Sequence, residues 1–292
     1  VSIIYKIRTM DITKEWFVNK INHFLEEDEC NRMSKLDNSL IFEPDTLVGI
    51  VDGNDAIFNR YKNIIGEFHL TPSEAYEWYC KKNNIKFSDK NLSVVAYILP
   101  ISQKTKIENF NYSKTMPSER WAHTRLFGEQ ANMTIQTYLI DELKKLGINA
   151  FAPALDKKLF RVNRKIWASN WSHRHNCFAA GLGSFGLSDG FINARGKAMR
   201  CGSLIVDLTF PSTAFDRPSD PYEFCIWCGD CISRCPVNAI SFEKRHDKMI
   251  CAPHVTSTIP FINKTYGIDI FACGLCQVGV SCSDGIPKKD TD

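Results

Sequence analysis

A run of closely spaced cysteines near the C-terminal end restricts what this chain can fold into more than any other feature. The run reads C-x₂-C-x₂-C-x₃-C-P and consists of Cys225, Cys228, Cys231 and Cys235, followed by Pro236. Three thiolates on one tight loop can reach three irons of a cubic cluster, while the fourth cysteine is carried away by the chain that follows and can serve a second cluster. The spacing therefore predicts cysteines that bind iron–sulfur clusters.

A second group of cysteines completes the number of ligands that two clusters require. It consists of Cys251, Cys273, Cys276 and Cys282. Because the first run has the spacing of bacterial ferredoxins, we predict two [4Fe–4S] clusters. The first cluster is assigned to Cys225, Cys228, Cys231 and Cys282. The second cluster is assigned to Cys235, Cys251, Cys273 and Cys276.

The second group departs from the ferredoxin pattern. Five residues separate Cys276 from Cys282, twenty-one separate Cys251 from Cys273, and no proline follows Cys282. A zinc ion is the alternative to the clusters, because two C-x-x-C pairs can form a tetrahedral site with four cysteine ligands. Eight cysteines exceed what one zinc ion needs, so iron–sulfur clusters remain the prediction.

Composition narrows the remaining classes of protein. The chain has 292 residues, of which 44% are hydrophobic, and a net charge of +3. That charge is too small to indicate nucleic acid or an anionic membrane surface as a partner. There is no apolar stretch of eighteen residues, so no transmembrane helix is expected. Residues 1–10 lack the apolar core and cleavage site of a secretory signal, and a cytoplasmic location is expected.

Strand and helix patterns alternate as far as residue 210. Helices are predicted at residues 11–28, 72–80, 117–146 and 167–180. Strands are predicted at residues 46–53, 92–101, 149–154 and 201–210. The alternation indicates an α/β (or α+β) domain at residues 1–210. Residues 211–221 have the composition of a linker, and residues 222–292 form the predicted cluster domain.

A glycine-rich segment precedes the last strand. Gly181, Gly183 and Gly186 form G-x-G-x-x-G, which in a dinucleotide-binding fold follows a strand and opens a helix. Here a helical pattern comes before the glycines and further glycines follow, so nicotinamide binding is not expected. The simpler alternative is that the glycines only permit tight turns.

The order of these segments resembles the epoxyqueuosine reductase and corrinoid reductive dehalogenase superfamily over roughly residues 117–287. The resemblance lies in Ala180-Gly181-Leu182-Gly183, then Gly186, then Arg195-Gly196-Lys197, then the strand from Cys201, then the ferredoxin run. It implies a nitroreductase-like cobalamin-binding domain with a ferredoxin-like, two-cluster domain. The residues that it implies at the cobalamin are Gly181, Leu182, Gly183 and Gly186. Asp189, Arg195 and Lys197 flank these glycines and could bond the amide side chains of a corrin, or could simply belong to a surface loop.

The catalytic residues of that superfamily do not carry over unchanged. Epoxyqueuosine enzymes have an aspartate on the helix before the glycine turn, whereas residues 165–176 contain no Asp or Glu. His173, Arg174 and His175 stand there instead and could supply a proton or bind an anionic substrate. The alternative is that they form a polar, solvated face of the helix. A D-x-H-x-x-G motif is also absent, so any cobalamin is expected to lack that lower histidine.

Another cationic group opens the long helix. Arg120, His123 and Arg125 share part of one face, where they could line a pocket or form surface salt bridges. Cys177 and Cys201 are given no role.

These features support two classes of function. The first is a reductase that passes electrons from two clusters to cobalamin and on to a small-molecule substrate, with an external donor such as a ferredoxin or flavodoxin. The second is an electron-transfer or activation protein that reduces or carries cobalamin for another enzyme. A weaker third option is a ferredoxin-like carrier whose N-terminal domain binds no cofactor.

Overall fold

An antiparallel sheet lies at the centre of the protein. A computed structural model describes residues 12–288. The prediction that there is no secretory signal concerns residues 1–10, which lie outside the described residues. The sheet has the order β1-β2-β8-β3. Its strands are β1 (Leu47–Asp52), β2 (Leu92–Pro100), β3 (Ala150–Phe151) and β8 (Met199–Asp207). Each neighbouring pair is antiparallel, with Val48 opposite Tyr97 and Val94 opposite Ile205.

Helices cover both faces of this sheet. They are α1 (Lys14–Glu27), α2 (Ile57–Ile65), α3 (Pro72–Asn83), α4 (Gln103–Tyr112), α5 (Glu119–Lys145), α6 (His173–Ala179), α7 (Asp230–Ser233) and α8 (Lys248–Tyr266). Every residue of β2 is buried. Val95 and Tyr97 pack in one core with α1 and α5, while Val94 and Ala96 pack in another with α2, α3 and α6. Burial on both faces explains why β2 is apolar without alternation.

The mixed class of fold predicted from the sequence is confirmed. Alternating strands and helices are typical of parallel sheets, but this sheet is antiparallel. The reason lies in the connection between β1 and β2, which contains two helices, α2 and α3. A single crossover helix returns the chain for a parallel strand, whereas a pair of helices can bring it back to the end where β1 finished.

The predicted helix at residues 167–180 is wrong in its first half. Val162–Asn163 (β4) and Ala168–Ser169 (β5) form a small hairpin, and Trp167 has a φ of 50° beside it. The helix α6 begins only at His173. Trp171, which precedes α6, is buried, and its Nε1 donates to Ser203 Oγ at 3.1 Å. The same oxygen contacts His173 Nδ1 at 2.7 Å and accepts from Asn176 Nδ2 at 2.9 Å, which fixes α6 on β8.

The predicted cluster domain contains a long helix, α8, that was not predicted from the sequence because it contains two prolines. Pro253 and Pro260 lie inside α8, where proline normally breaks a helix. Asp247 caps α8 by accepting from the backbone N–H groups of Met249 and Ile250. The short strands of the site region form two further hairpins. These are β6 (Gly183–Phe185) with β7 (Phe191–Asn193), and β9 (Ile240–Ser241) with β10 (Arg245–His246).

The C-terminal segment packs closely on the rest of the protein. Ile262, Ala272 and Val278 belong to the same core as α1 and α5. The predicted linker, residues 211–221, lies against β1: Ile50 N donates to Thr213 Oγ1 at 2.9 Å, and Arg217 pairs with Asp55. The boundaries of the domains therefore remain a prediction. Within residues 12–288, no helix is long and apolar enough to cross a membrane.

Candidate functional site

Four cysteines surround a small cavity of about 20 Å³, which we call the cysteine cavity. They are Cys225, Cys228, Cys231 and Cys282, the four that the sequence assigns to one cluster. Leu187, Ile192 and Val280 supply apolar walls. The thiols therefore converge beside an apolar wall, and Cys228 is the exposed one of the four. Burial raises the pKa of the Cys231 thiol to about 11. Lys197 opposes this shift, whereas Cys276 from the other group, Cys282 and Cys225 add to it.

The other four cysteines are also brought together. Burial raises the pKa of the Cys273 thiol to about 12. Cys235, Cys251 and Cys276 act in the same direction, so all four thiols lie close enough to interact electrostatically. Among residues 12–288, no three His, Cys, Asp or Glu side chains are arranged to hold a single metal ion. In a cubic cluster each thiolate binds its own iron, so the sulfurs stand further apart than around one ion.

Hydrogen bonds position the cysteine segment around Cys235 and Cys282. Lys197 N donates to the carbonyl of Cys282 at 2.9 Å. Gly196, at a φ of 86°, permits this approach, because a Cβ there would collide with the carbonyl oxygen of Ser283. Asp230 Oδ2 accepts from Ser281 N at 2.8 Å, and Ala239 N donates to Cys235 Sγ at 3.2 Å. The late cysteine is thus fixed beside the early run.

The side chain of Lys197 lies between the two groups of thiols. Lys197 is only 2% exposed and lines the cysteine cavity. Burial raises the pKa of both Cys276 and Cys282, and the Lys197 ammonium acts in the opposite direction on each. One of these thiols belongs to each predicted cluster. A single buried cation therefore stabilises negative charge in both groups.

A larger cavity of about 410 Å³ lies between the sheet and the cysteine segment. We call it the arginine-lined cavity. Its cationic lining residues are Arg125 from α5, Arg174 from α6, Arg200 from β8 and Lys248 from α8. Cys251, Cys273 and Cys276 line the same cavity. The second group of thiols therefore adjoins a space for a ligand, at the face where the sheet and α8 meet.

Two arginines of this cavity share one carboxylate. Arg125 Nη1 lies 3.8 Å and Arg200 Nη1 lies 3.4 Å from Glu129 Oε2. Burial and the neighbouring Arg200 lower the pKa of Arg125 to about 10. The guanidinium of Arg125 also lies over the ring of Phe271, 5.0 Å from its centroid. The local charge is positive and only partly compensated.

Among the described residues around the arginine-lined cavity, Asp189 provides the only carboxylate. Its Oδ2 lies 3.4 Å from His246 Nδ1. Burial acts to raise the pKa of Asp189, but His246, Lys248 and Arg174 together hold it below its ordinary value. Asp189 is therefore ionised near neutral pH and does not carry a proton for transfer.

The three predicted catalytic residues separate in the structure. Arg174 lines the arginine-lined cavity and donates to the carbonyl of Asp189. His173 instead faces Ser203, and burial lowers its pKa to about 4. His175 packs between Tyr61 and Phe185, and burial lowers its pKa to about 3. Of the three, only Arg174 reaches the cavity, and the catalytic role of the group stays a prediction.

The residues predicted at the cobalamin are also divided between places. Asp189 lines the arginine-lined cavity, whereas Gly186 and Lys197 line the cysteine cavity. The remaining four, Gly181, Leu182, Gly183 and Arg195, line neither cavity. Gly183 lies in the β6–β7 hairpin, where a Cβ would collide with the carbonyl oxygen of Ile192. Arg195 pairs with Asp45. Contact between these residues and a corrin stays a prediction.

The cationic face at the start of α5 is split in the same way. Arg120 is buried in ion pairs with Asp37 and Glu108, whereas Arg125 lines the cavity. His123 is buried, which lowers its pKa. Arg200 and Lys248 also line the cavity but were not predicted from the sequence. Only their positions could have indicated them: Arg200 directly precedes the predicted strand, and Lys248 lies three residues before Cys251.

Comparison with known proteins finds similarity in the fold alone. No protein-family model and no curated protein matches the chain. The structure resembles catabolic reductive dehalogenase NpRdhA with a TM-score of 0.52 and 16% identity, over 82% of this chain and 30% of that one. The complex of that protein with 3-bromo-4-hydroxybenzoic acid matches equally well. An epoxyqueuosine reductase from Streptococcus thermophilus gives a TM-score of 0.48 and 12% identity, over 94% and 68% of the two chains.

The two dehalogenase matches confirm the predicted resemblance at the level of the fold. The chain spans about 30% of the length of the dehalogenase. The chain therefore shares a fold with part of a reductive dehalogenase.

Buried histidines predict how stability depends on pH. His69, His173 and His175 have pKa values lowered to about 4, 4 and 3 by burial. Unfolded histidine has a pKa of about 6.5, so below that pH the unfolded chain binds more protons. The free energy of unfolding should therefore fall as the pH drops from about 6.5 to about 4. His175→Phe keeps the aromatic packing and should reduce that slope by up to about 1.4 kcal/mol per pH unit.

Urea unfolding at several pH values between 4 and 7 measures the slope. His23, an exposed residue of α1, provides the matched control variant His23→Gln. An unchanged slope in His175→Phe would show that His175 is not a neutral buried group.

Proposed function

We propose that this protein is an iron–sulfur- and corrinoid-dependent reductase. The observation that carries the proposal is the position of Cys251, Cys273 and Cys276, which line the arginine-lined cavity. A cluster on these thiols would adjoin whatever the cavity binds, and electron transfer benefits from such proximity. The fold shared with a reductive dehalogenase supports the same class of reaction.

The cysteines fit the predicted clusters. Four thiols surround one apolar cavity, and the other four interact with one another beside it. Cys225, Cys228, Cys231 and Cys282 would hold the first cluster. Cys235, Cys251, Cys273 and Cys276 would hold the second. Clusters of this kind carry single electrons, and the protein tunes them through burial, hydrogen bonds and nearby charge.

The space for a corrin is larger than the arginine-lined cavity alone. A shallow groove of about 440 Å³ shares Trp167, Ala252 and Thr256 with that cavity, so the two adjoin. A corrin is rimmed with amides and needs polar partners, which Arg174, Gln277 and the other polar lining residues supply. A bound cobalamin would supply a reducible cobalt. The protein would orient it and limit access of water.

The substrate and the electron donor are proposed by chemical class. We propose a small molecule as substrate, as in the dehalogenase structure that contains 3-bromo-4-hydroxybenzoic acid. A ferredoxin or flavodoxin would reduce the clusters from outside. Cys228 is exposed and belongs to the first group, so electrons would enter there and leave at the cavity. A cytoplasmic location is part of the proposal.

A second candidate function is supported by the charge of Asp189. A reductase that protonates its substrate needs a proton donor, and the one carboxylate among the described cavity-lining residues is ionised. A protein that reduces or carries cobalamin for another enzyme needs no such donor. Turnover of 3-bromo-4-hydroxybenzoic acid with a chemical reductant would favour the reductase, and reduction of added cobalamin without turnover would favour the second candidate.

Metal analysis tests the central proposal. Protein purified without oxygen should contain about eight irons with matching sulfide, because two clusters require them. It should also bind hydroxocobalamin with micromolar affinity, about −8 kcal/mol, visible in its absorption spectrum. Stoichiometric zinc with negligible sulfide would refute the clusters, and undetectable binding of both oxidised and reduced cobalamin would refute the corrinoid reaction.

Ligand sharing predicts a selective effect of Cys235→Ala. Cys235 interacts with Cys251 and Cys276, although it belongs to the first run in sequence. Its removal should impair the cluster beside the arginine-lined cavity and spare the other. Paramagnetic resonance of the reduced protein distinguishes the two signals. Cys225→Ala is the matched variant and should have the opposite effect; loss of the same signal in both variants would contradict the assignment.

The buried Lys197 should raise the reduction potential of both clusters. Reduction adds a negative charge to a cluster, and a nearby cation stabilises that charge. Lys197→Met should therefore lower both potentials by on the order of 59 mV, which is a tenfold change for a one-electron couple. Lys197→Arg should restore most of the difference, and the exposed Lys158→Met serves as control. Potentials unchanged in a redox titration of Lys197→Met would exclude this role.

A further inference from the structure

The arginine-lined cavity contains more positive than negative charge. Its lining includes Arg125, Arg174, Arg200 and Lys248, against the single carboxylate of Asp189. Arg174 donates to the carbonyl of Asp189, and the carboxylate of Asp189 lies beside His246. The other cations are left with little compensation from the cavity itself. An isolated, partly buried cation is unfavourable unless it is paired, so this excess calls for an anion.

The guanidinium groups of Arg125 and Arg200 have few partners. Arginine has five N–H donors. Arg200 Nη2 donates weakly to the carbonyl of Arg125 at 3.4 Å, and Glu129 stands between the two side chains. The Glu129–Arg125 distance of 3.8 Å is too long for a hydrogen bond. Most donors of Arg125 are therefore free for a ligand, while Phe271 supports the flat face of its guanidinium.

Two independent features of the same cavity also favour a ligand. Thr124 lines it and is 2% exposed, and its Oγ1 is buried without a hydrogen-bond partner. Lys248, Cys251 and Ala252 belong to the first turns of α8, so the positive end of a helix of 19 residues lies at the cavity. A buried hydroxyl without a partner costs free energy that a polar ligand would remove.

We propose that the arginine-lined cavity binds an anionic group, a carboxylate or phosphate, through Arg125 and Arg200. Lys248 adds long-range attraction, and Thr124 offers a hydrogen bond. The inference rests on the proposed function, since it names the chemical class of the ligand beside the second cluster. Two sources present this chemistry: the nucleotide phosphate of a cobalamin and the acid group of a small substrate.

Binding measurements on the iron-loaded protein test the inference. The probes are inorganic phosphate, benzoate, hydroxocobalamin, and cobinamide, which lacks the nucleotide phosphate. Arg125→Gln and Arg200→Gln should each weaken binding of an anionic probe about tenfold, as expected for a lost charge-assisted hydrogen bond. Arg125→Lys should retain part of the affinity. The matched control is Arg164→Gln, which removes the same charge from an exposed position outside the cavity.

The pattern among probes identifies the source of the anion. Loss of the preference for hydroxocobalamin over cobinamide in Arg125→Gln supports the nucleotide phosphate. Weaker benzoate or phosphate binding with that preference intact supports an anionic substrate. The inference is overturned if Arg125→Gln and Arg200→Gln bind every probe as the parent protein does, or if the parent protein binds none of the anions.

Iron and sulfide analysis of each variant separates this result from the proposed function. A variant with normal iron content is folded around its clusters, so its loss of anion binding is local. If the glutamine variants lose iron, anion binding by Arg125→Lys is compared with that of the parent protein instead. Partly retained affinity is then the expected result, and unchanged affinity contradicts the inference. Benzoate binding that depends on Arg125 in a protein without affinity for cobalamin would support the anion site while refuting the corrinoid reaction.

Discussion

The complete burial of β2 is the constraint on which the rest of the structure depends. Its residues alternate between two cores, so each face of the sheet must be covered by helices. On one face this fixes α5, which presents Arg125, and on the other it fixes α6, which presents Arg174. The paired strand β8 brings Arg200 to the same place. The site is thus assembled by the requirement to bury one apolar strand.

Electrostatics then distinguishes the two cavities. In the cysteine cavity, burial opposes ionisation of the thiols, and Lys197 is the cation that counteracts it. In the arginine-lined cavity, the excess charge is positive and belongs to side chains from four elements. Because Cys276 interacts with Lys197 and also lines the second cavity, it lies where the two environments meet. In the proposed function, electrons would pass here from the first cluster toward the arginine-lined cavity.

The secondary structure was predictable where the pattern was strong and local. β2 and α5 follow from an apolar run and from a helix start at Pro117-Ser118-Glu119, and the structure places them there. The helix α8 was missed because Pro253 and Pro260 are breakers by local rules, and here tertiary packing of Ile262 overrides them. The hairpin at Trp167 was missed because a helical pattern continued across a residue that adopts positive φ.

Ligand spacing along a loop limits which atoms can reach one cluster, so the cysteine spacing was enough to predict two iron–sulfur clusters. The spacing also assigned Cys235 and Cys282 to different clusters, which stays a prediction. Cys235 lies near Cys251 and Cys276, and Cys282 lies near Cys225 and Cys228. Which cations face the arginine-lined cavity depends on the tertiary structure. Arg125, Arg174, Arg200 and Lys248 are distant in the chain, and each has ordinary neighbours in sequence. Only the packing of four elements around β2 and α8 brings their charges together, since a side chain's exposure and direction depend on what its helix or strand must bury.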